Sequence, residues 1–389
     1  MRIKVLHIAA YYSGSNVYSS MVSELWRKGL SQRVYAPVRY EGEVGRNNVE
    51  DVDINYDQIL TKSDRLMFRK KIRKLSKRVA FLYDLSKVDV VHAHTLFSDG
   101  AVAYEIFKKF NTPYIIAVRN TDLNVFLKYM PHLRPLANSI LQSASKVIFL
   151  NNEYKESFVR KMTLKQDFFN KLHVIPNGID TFWHENKQEF KNIKTEKLNF
   201  LYVGDYSPNK NIPYLLAVLK HYASRSGQGD ISVQLVGGGK ARGKSGIDTG
   251  IAETIRKGFP KNMKVTELGK VKSLVKLQEL YQKADFFCML SKNETFGLVY
   301  AEAMSQGTPI IYTKGQGIGP YFKDFEVGFS VDLVCDRKED VSEKLDRLVE
   351  NYSLISKNAS KASQRFDWRK ITTEYLSAYE EITLKSKMS

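Results

Sequence analysis

Cysteine is nearly absent: the 389 residues hold two, Cys288 and Cys335. Both sit in apolar or strand-like runs, which argues against a disulfide framework and fits a reducing cytoplasm. Long apolar runs are missing as well. The opening stretch through Ile3 to Ala10 is too short for a transmembrane helix and carries no cleavage site, and no other stretch approaches the length of a span. The expectation is a soluble chain, or one peripheral to a membrane. There is no internal repeat of solenoid length and no low-complexity tract. The seven histidines show no zinc spacing, and no phosphate loop of the GxxxxGK[ST] kind occurs, because Gly237-Gly238-Gly239-Lys240 lacks the spacing. The letters Asp-x-Asp occur at Asp51-Val52-Asp53, in an acidic, loop-like stretch. No resident metal is expected.

Acidic residues are also scarce. There are 42 against 60 basic ones, a formal charge of +18, which calls for an anionic partner such as nucleic acid, anionic lipid or a phosphate-bearing substrate. Residues 61–80 hold nine cations against one acid, Asp64. Across that run Phe68, Ile72, Leu75, Val79 and Leu82 recur at helical steps, forming one apolar stripe on a cationic helix. The stripe predicts docking on a core. The outer face, with Arg69, Lys70, Arg73, Lys74 and Lys77, is expected to meet an anionic membrane surface rather than nucleic acid.

What is present suits two domains. Apolar residues make up 43%, enough for two cores. Strand-like runs at Ile3–Ala10, Val34–Pro37, Val88–Ala93, Pro113–Val118, Lys146–Leu150 and His173–Pro176 alternate with helical sequence, beginning with a helix from about Ser19 to Gly29. The polar stretch His184–Lys197 reads as a linker. The pattern restarts with Leu198–Val203, Ile231–Val236, Met263–Leu268, Asp285–Leu290 and Pro309–Tyr312. This predicts an α/β fold of two Rossmann-like domains with parallel sheets, residues 1–183 and 198–365, facing across a cleft that holds the site. Residues 366–389 form a closing helix with Trp368, Ile371, Tyr375 and Tyr379 on one face.

The strongest chemical signal is Glu294-Thr295-Phe296-Gly297-Leu298-Val299-Tyr300-Ala301-Glu302, which follows a strand and opens a helix. The amides of Gly297, Leu298 and Val299 point out of a first turn, where free N–H groups and the helix dipole bind phosphate. An acid beside such a turn suits the hydroxyls of a sugar or ribose. A helix with one acid for its dipole is the plainer reading of the same letters.

The order of the pieces carries a resemblance. Val90-Val91-His92-Ala93-His94, Ile175-Pro176-Asn177-Gly178-Ile179-Asp180, Leu201-Tyr202-Val203-Gly204, Ser207-Pro208-Asn209-Lys210-Asn211, Val236-Gly237-Gly238-Gly239, the Glu294–Glu302 segment and Gly307-Thr308-Pro309 together resemble the GT-B retaining glycosyltransferases of family 4 over nearly the whole chain. By that resemblance Glu302 holds the donor ribose, and Glu294 meets hydroxyls of the donor sugar. Phe296, Gly297 and Leu298 offer backbone contacts, and Lys210 meets the pyrophosphate. Lys210 and Glu294 are the residues expected to carry catalysis, Lys210 because the leaving nucleoside diphosphate gains charge in the transition state.

The chain also departs from the family pattern. Asp205 stands where the family usually has an arginine. Lys240, Arg242 and Lys244 either replace that cation or form a solvated loop. Ser13-Gly14-Ser15-Asn16 replaces paired glycines, with Gly14 still able to bring backbone close to donor phosphate or sugar. Arg119 stands where a histidine often reaches the donor sugar, and suits a charged sugar, a phosphate, or an ion pair with Asp122. His94 is better placed than His92 for the cleft, or is a satisfied structural histidine. The resemblance implies transfer from a nucleotide-sugar, a UDP-sugar first and GDP-mannose second, to a saccharide or lipid-linked acceptor in polysaccharide assembly, with retention and without a cofactor. A nucleotide-sugar 2-epimerase of the same fold and a non-catalytic basic scaffold are the rivals.

Overall fold

The computed structural model describes residues 3–225, 227, 229–238 and 249–388. The chain divides into two units, 1–178 with 368–389, and 179–367.

The first unit holds seven parallel strands: β1 (Lys4–Ile8), β2 (Ser31–Pro37), β3 (Asp53–Asp57), β4 (Val90–Ala93), β5 (Tyr114–Ala117), β6 (Lys146–Phe149) and β7 (Leu172–Val174). Their order is β3-β2-β1-β4-β5-β6-β7. Every residue of β4, β5 and β6 is buried, as strands covered on both faces require. Side chains alternate between the two faces. One face carries Leu6, Ile8, Val91 and Ile116 against the helices Phe68–Leu82, Ser98–Phe110 and Arg134–Ser143. The other carries Val5, Val34, Val90 and Ile115 against the helix Asn16–Arg27 and the C-terminal helix Trp368–Met388. From that last helix Trp368, Ile371, Tyr375, Tyr379 and Ile382 enter the core, the apolar face that the spacing predicted plus one further turn.

The second unit holds six parallel strands: β8 (Lys197–Gly204), β9 (Asp230–Gly237), β10 (Met263–Gly269), β11 (Phe286–Met289), β12 (Ile310–Thr313) and β13 (Gly328–Val331). Their order is β10-β9-β8-β11-β12-β13. In each sheet the order reverses beside the first strand of the unit, which is the doubly wound pattern whose ligands sit beyond the carboxyl ends of the strands.

Several elements differ from the sequence reading. β3 and β13 escaped it because both are edge strands, short and poor in alternation. Asp53, assigned to a loop, begins β3. It pairs with Arg33 at 3.3 Å, while Asp57 at the other end meets Arg78 at 3.1 Å. An edge strand tolerates such charges because its outer side faces water. The first helix starts at Asn16, ahead of Ser19, because the Ser15 side chain accepts from Val17 N at 3.4 Å and caps it. Cys335 lies exposed beyond β13, outside any strand.

The polar stretch 184–197 is not a free tether. Lys191 within it is buried, and its Nζ donates to Tyr281 O at 2.7 Å, Ala284 O at 2.5 Å and Thr308 Oγ1 at 2.6 Å. Two of these acceptors are carbonyls near the end of the helix Leu274–Lys283, which lack intrahelical donors. A buried lysine in a polar run thus ties that run to the second unit.

The basic helix runs from Phe68 to Leu82 and buries Phe68, Ile72, Leu75 and Val79, as its stripe requires. Lys74, expected on the outer face, instead meets Asp64 at 2.6 Å and Ile59 O at 2.8 Å. Lys71 donates to Ser98 Oγ at 2.9 Å. Among the described residues no ion pair holds the side chains of Arg69, Lys70, Arg73 or Lys77. Leu66 and Phe81, at the two ends of the helix, are 90% and 78% exposed. Among the described residues, no helix is long and apolar enough to cross a membrane.

Candidate active site

In the second unit two loops meet beyond the carboxyl ends of β8 and β11. After β8 the chain forms a short turn, Pro208–Lys210, ended by Asn211 in the left-handed conformation at φ 55°. Asn209 stitches this turn to the loop after β11. Its Nδ2 donates to Asn293 O at 2.9 Å, its Oδ1 accepts from Asn293 N at 3.1 Å, and its carbonyl accepts from Lys292 N at 2.8 Å. The stitch sets Lys210 Nζ 2.6 Å from Glu294 Oε2. Both side chains are about one-sixth exposed, at 16% and 15%. The other Glu294 oxygen, Oε1, accepts from Thr295 N at 3.2 Å.

The backbone of Glu294 is clamped from a third loop, after β12. Gln316 Oε1 accepts from Glu294 N at 3.0 Å, and Gly317 N donates to Glu294 O at 2.8 Å. A Cβ on Gly317, whose φ is +60°, would stand 2.9 Å from Phe296 O and 3.0 Å from Glu294 Cγ, so only glycine fits. Gln316 and Gly317 were not singled out from sequence, although the glycine-flanked turn Gly315-Gln316-Gly317 after a strand was a legible signal.

Gly297 is the N-cap of the helix Leu298–Ser305, with φ 75° and ψ 74°. A Cβ there would lie 2.6 Å from the Tyr300 ring. The first turn therefore presents the amides of Leu298 and Val299 with no side chain from residue 297 in front of them. The Phe296 side chain is buried against Tyr321 and Phe366, which leaves its backbone as the part available to a ligand.

Glu302 lies further along the same helix, away from the Lys210–Glu294 pair. Its Oε2 accepts from Tyr281 OH at 3.0 Å. Burial raises its pKa to about 7, the Tyr281 bond opposing and the charge of Asp180 adding to the rise. Tyr281 is a partner the sequence reading missed, since it arrives from a different helix. Asp205, in the position of the usual arginine, accepts from Ser207 N at 2.9 Å. Burial raises its pKa, but the Ser207 hydrogen bonds and the Lys210 charge more than offset this and hold it below its ordinary value. Asp205 thus shapes the turn that carries Lys210. Lys240, with Arg242 and Lys244, lies outside the described residues.

The remaining predicted residues belong to the first unit. Gly14 closes the turn Tyr12–Gly14 after β1, where a Cβ would meet the Tyr11 ring. Arg119 follows β5. Its backbone N donates to Asp122 Oδ2 at 2.8 Å, and its guanidinium donates to His94 O and Asn177 Oδ1 at 3.4 Å each. Asp122 also accepts from Leu96 N and Phe97 N at 3.1 Å each, so it organises backbone, and of the alternatives open to Arg119 the ion pair with Asp122 is not formed.

His94 is buried, stacked on His92 at 4.0 Å, and its Nε2 lies 3.0 Å from His7 Nδ1. Linear spacing hid this trio, which strand register brings together because His7 and His92 are direct neighbours. One ligand atom from each lies within 4.8 Å of the others. Burial holds His7 near a pKa of about 4, with Gln32 Oε1 accepting from its Nε2 and countering, and holds His92 and His94 well below their ordinary value. The trio is a neutral block at neutral pH.

Two doubly wound parallel units of this kind define the GT-B class, and solved structures bear that out. The chain aligns over 99% of its length, with all of sucrose-phosphate synthase from Thermosynechococcus elongatus, at TM-score 0.73 and 17% identity. It aligns over 97% of its length, with all of the Anabaena protein Alr3699/HepE solved in complex with UDP-glucose, at TM-score 0.67 and 17% identity. The family model described as Glycosyltransferase Family 4 matches residues 14–182, and that described as Glycosyl transferases group 1 matches residues 184–366. The alpha-monoglucosyldiacylglycerol synthase of Acholeplasma laidlawii is 25% identical over 76% of this chain and 73% of its own. The chain belongs to the group 1, family 4 glycosyltransferases, and it is an enzyme of the hexosyltransferase kind. The non-catalytic scaffold reading is thereby set aside.

Gly297→Ala tests the local geometry. A left-handed φ costs a non-glycine residue about 1–2 kcal/mol, and the Tyr300 contact adds to it. The expected outcome is a thermal midpoint lowered by several degrees, with nucleotide affinity lowered further as the first turn shifts. Unchanged melting and unchanged affinity would show that the cap is dispensable.

Proposed function

We propose that this enzyme transfers a hexose from a nucleotide-sugar, a UDP-sugar first and GDP-mannose second, to a saccharide or lipid-linked acceptor, with retention of configuration and without a metal. The carrying observation is the Lys210–Glu294 pair beside the glycine-capped N-terminus of Leu298–Ser305. A nucleoside diphosphate leaves with growing negative charge. One fixed cation and a turn of outward amides stabilise that charge most as the glycosidic bond breaks. Glu294 accepts from hydroxyls of the sugar, and the Lys210 contact keeps its carboxylate ordered beforehand. Glu302 accepts from the ribose diol. The acceptor hydroxyl attacks from the face the leaving group occupies and passes its proton to the leaving phosphate oxygen. Alr3699/HepE is solved with UDP-glucose, which supports the donor class.

The enzyme works in the cytoplasm, at an anionic membrane surface, in the assembly of surface polysaccharide. Arg69, Lys70, Arg73 and Lys77 outside the ion pairs, with exposed Leu66 and Phe81 at either end of the helix, combine charge and apolar anchor. A groove of about 450 Å³ lined by Arg73, Lys77, Glu105, Lys108, Lys109 and Phe110 borders this face, with Lys108 paired to Glu105 at 2.8 Å. The resemblance to a synthase named for a diacylglycerol product supports a lipid-borne acceptor.

Lys210→Ala is expected to lower kcat at least about tenfold, roughly 1.4 kcal/mol in the barrier, with smaller change in acceptor KM. Full activity of the variant, together with abolition of wild-type turnover by EDTA, would replace this mechanism with a metal-assisted one.

Glu302 gives a pH signature. Its pKa of about 7 leaves a carboxylate above neutrality and a protonated acid below. UDP affinity measured by calorimetry is therefore expected to hold at pH 8 and to fall as the pH drops below about 7. Glu302→Gln should be weaker at pH 8 and flat across the range. An equally steep profile in the variant would assign the titration elsewhere. The sign for stability is opposite. A raised carboxyl pKa stabilises the ligand-free fold below the unfolded value, and that contribution is lost as pH rises through about 7.

Replacing Arg69, Lys70, Arg73 and Lys77 with Gln should reduce co-sedimentation with phosphatidylglycerol vesicles by at least about tenfold at low salt, at about 1 kcal/mol per cation near such a surface. Transfer to a soluble acceptor should survive. Equal vesicle binding by both proteins removes the membrane from this reading and leaves the transferase intact.

A further inference from the structure

Three cations of the first unit gather at one corner of its sheet. The strand order reverses there between β1 and β4, and ligands of a doubly wound sheet sit beyond the carboxyl ends at such a reversal. Asp99 marks the corner, because it joins the helix after β4 to the loop after β1 by accepting from Ala10 N at 3.0 Å. Lys71 enters from the basic helix, half-buried, with its Nζ 2.9 Å from Ser98 Oγ and 5.1 Å from the centre of the Phe68 ring. Arg39, also half-buried, follows β2, and its Nε donates to Thr61 O at 3.3 Å. Lys74 is the third, paired with Asp64. Burial lowers the Lys71 pKa. Asp99 and Asp64 pull it back up, and the charges of Arg39 and Lys74 push it down again.

The two carboxylates present do not balance these charges. Asp64 is taken up by Lys74 at 2.6 Å, Thr61 N at 2.6 Å and Thr61 Oγ1 at 2.9 Å. Burial raises the Asp99 pKa to about 7, against the bonds from Ala10 and Thr95 and the Lys71 charge, so at neutral pH it carries only part of its charge. Among the described residues neither Lys71 nor Arg39 stands in an ion pair. Lys71 also meets the first residue of the helix Ser98–Phe110, the end whose dipole opposes a cation. Around that end Phe97 N, Asp99 N and Gly100 N donate to Asp122, Thr95 Oγ1 and Thr95 O, whereas Ser98 N has no acceptor among the described residues. An incoming anion relieves all of this at once. A phosphoryl group has oxygens enough to accept from a compact ammonium, a guanidinium fork and a hydroxyl together.

We propose that Lys71, Arg39 and Ser98 form a phosphate subsite of the first unit, which holds a phosphoryl group borne by the acceptor. The proposal rests on the transferase reading above and names the acceptor's chemistry. All its residues belong to one unit, so phosphate binding there is measurable apart from transfer. A phosphorylated acceptor fills the subsite, and a neutral one leaves the half-buried cations unmatched, so these residues select the acceptor and take no part in the chemical step. The phosphoryl group is that of a sugar phosphate or of a lipid phosphate.

Calorimetry on the full chain tests it, with UDP at saturation so that the phosphate-binding turn of the second unit is filled. Glucose 6-phosphate is titrated against glucose, and geranyl phosphate against geraniol. Wild type, Lys71→Met, Lys71→Arg and Arg39→Gln are compared after circular dichroism establishes folding. The expected result is a phosphate bound at least about tenfold tighter than its neutral counterpart. That margin is lost in Lys71→Met, reduced in Arg39→Gln and partly regained in Lys71→Arg, with UDP affinity kept throughout. A margin for glucose 6-phosphate alone assigns the group to a sugar, a margin for geranyl phosphate alone to a lipid, and equal margins to the phosphoryl group itself. No margin for either phosphate, or a margin that survives Lys71→Met, overturns the proposal. If Lys71→Met does not fold, Arg39→Gln decides in the same way. Failure of UDP to bind sinks the nucleotide reading of the second unit, and the same titrations without UDP still decide the subsite through their dependence on Lys71 and Arg39.

Discussion

The contact between Lys210 and Glu294 is where three loops of the second unit become one surface. Each partner alone is an awkward residue. A lysine on a short turn samples many rotamers, and a half-buried carboxylate loses hydration. Together, 2.6 Å apart, they fix each other, and the Asn209 bonds to Lys292 and Asn293 hold the turn beneath them. The Gln316 and Gly317 bonds to the Glu294 backbone then settle where the following helix begins. Gly297 holds the left-handed cap because it lacks a Cβ, and the clamp fixes the direction in which the chain enters it. The outward amides of the first helical turn, the Glu294 carboxylate and the Lys210 cation therefore share one frame. None of the three loops supplies that frame alone.

The first unit solves the opposite problem. It has abundant positive charge and must keep it from its own core. Three histidines sit side by side in the middle of the sheet without adding charge, since burial keeps them neutral and His92 Nδ1 meets the Tyr379 hydroxyl at 2.7 Å. Lys74 and Arg78 are absorbed by Asp64 and Asp57, both from the segment that includes edge strand β3. Among the described residues Arg69, Lys70, Arg73 and Lys77, on the basic helix, are some of the cations left without an ion pair. Net charge in the composition thus overstates the charge that a ligand can meet.

Much of this was legible in the sequence because periodicity and local spacing report local structure. The alternating runs gave most of both sheets, the apolar stripe gave the buried face of Phe68–Leu82, and the Glu294–Glu302 segment gave the helix that carries the site. What was not legible depends on partners far apart in the chain. Tyr281 reaches Glu302 and Gln316 reaches Glu294 across 21 and 22 residues, and His7 reaches His94 across 87. Lys191 appeared as part of a solvated tether, since its letters are polar and its three acceptors are carbonyls and a hydroxyl invisible to any pattern of side chains. Edge strand β3 is only partly buried and reads as polar, and β13, though buried throughout, is four residues of mixed letters that form no conspicuous apolar run.

The C-terminal helix adds a matter of timing. Trp368, Ile371, Tyr375 and Tyr379 complete the core of the first unit, yet they are the last part of it to be made. Residues 179–367 form an uninterrupted segment and have all their strands as soon as they leave the ribosome. The segment translated first must wait through the synthesis of the whole second unit, with Val5, Val34, Val90 and Ile115 lacking their final cover. The second unit can therefore complete its fold before the first, and during that interval the uncovered sheet face is transiently exposed apolar surface.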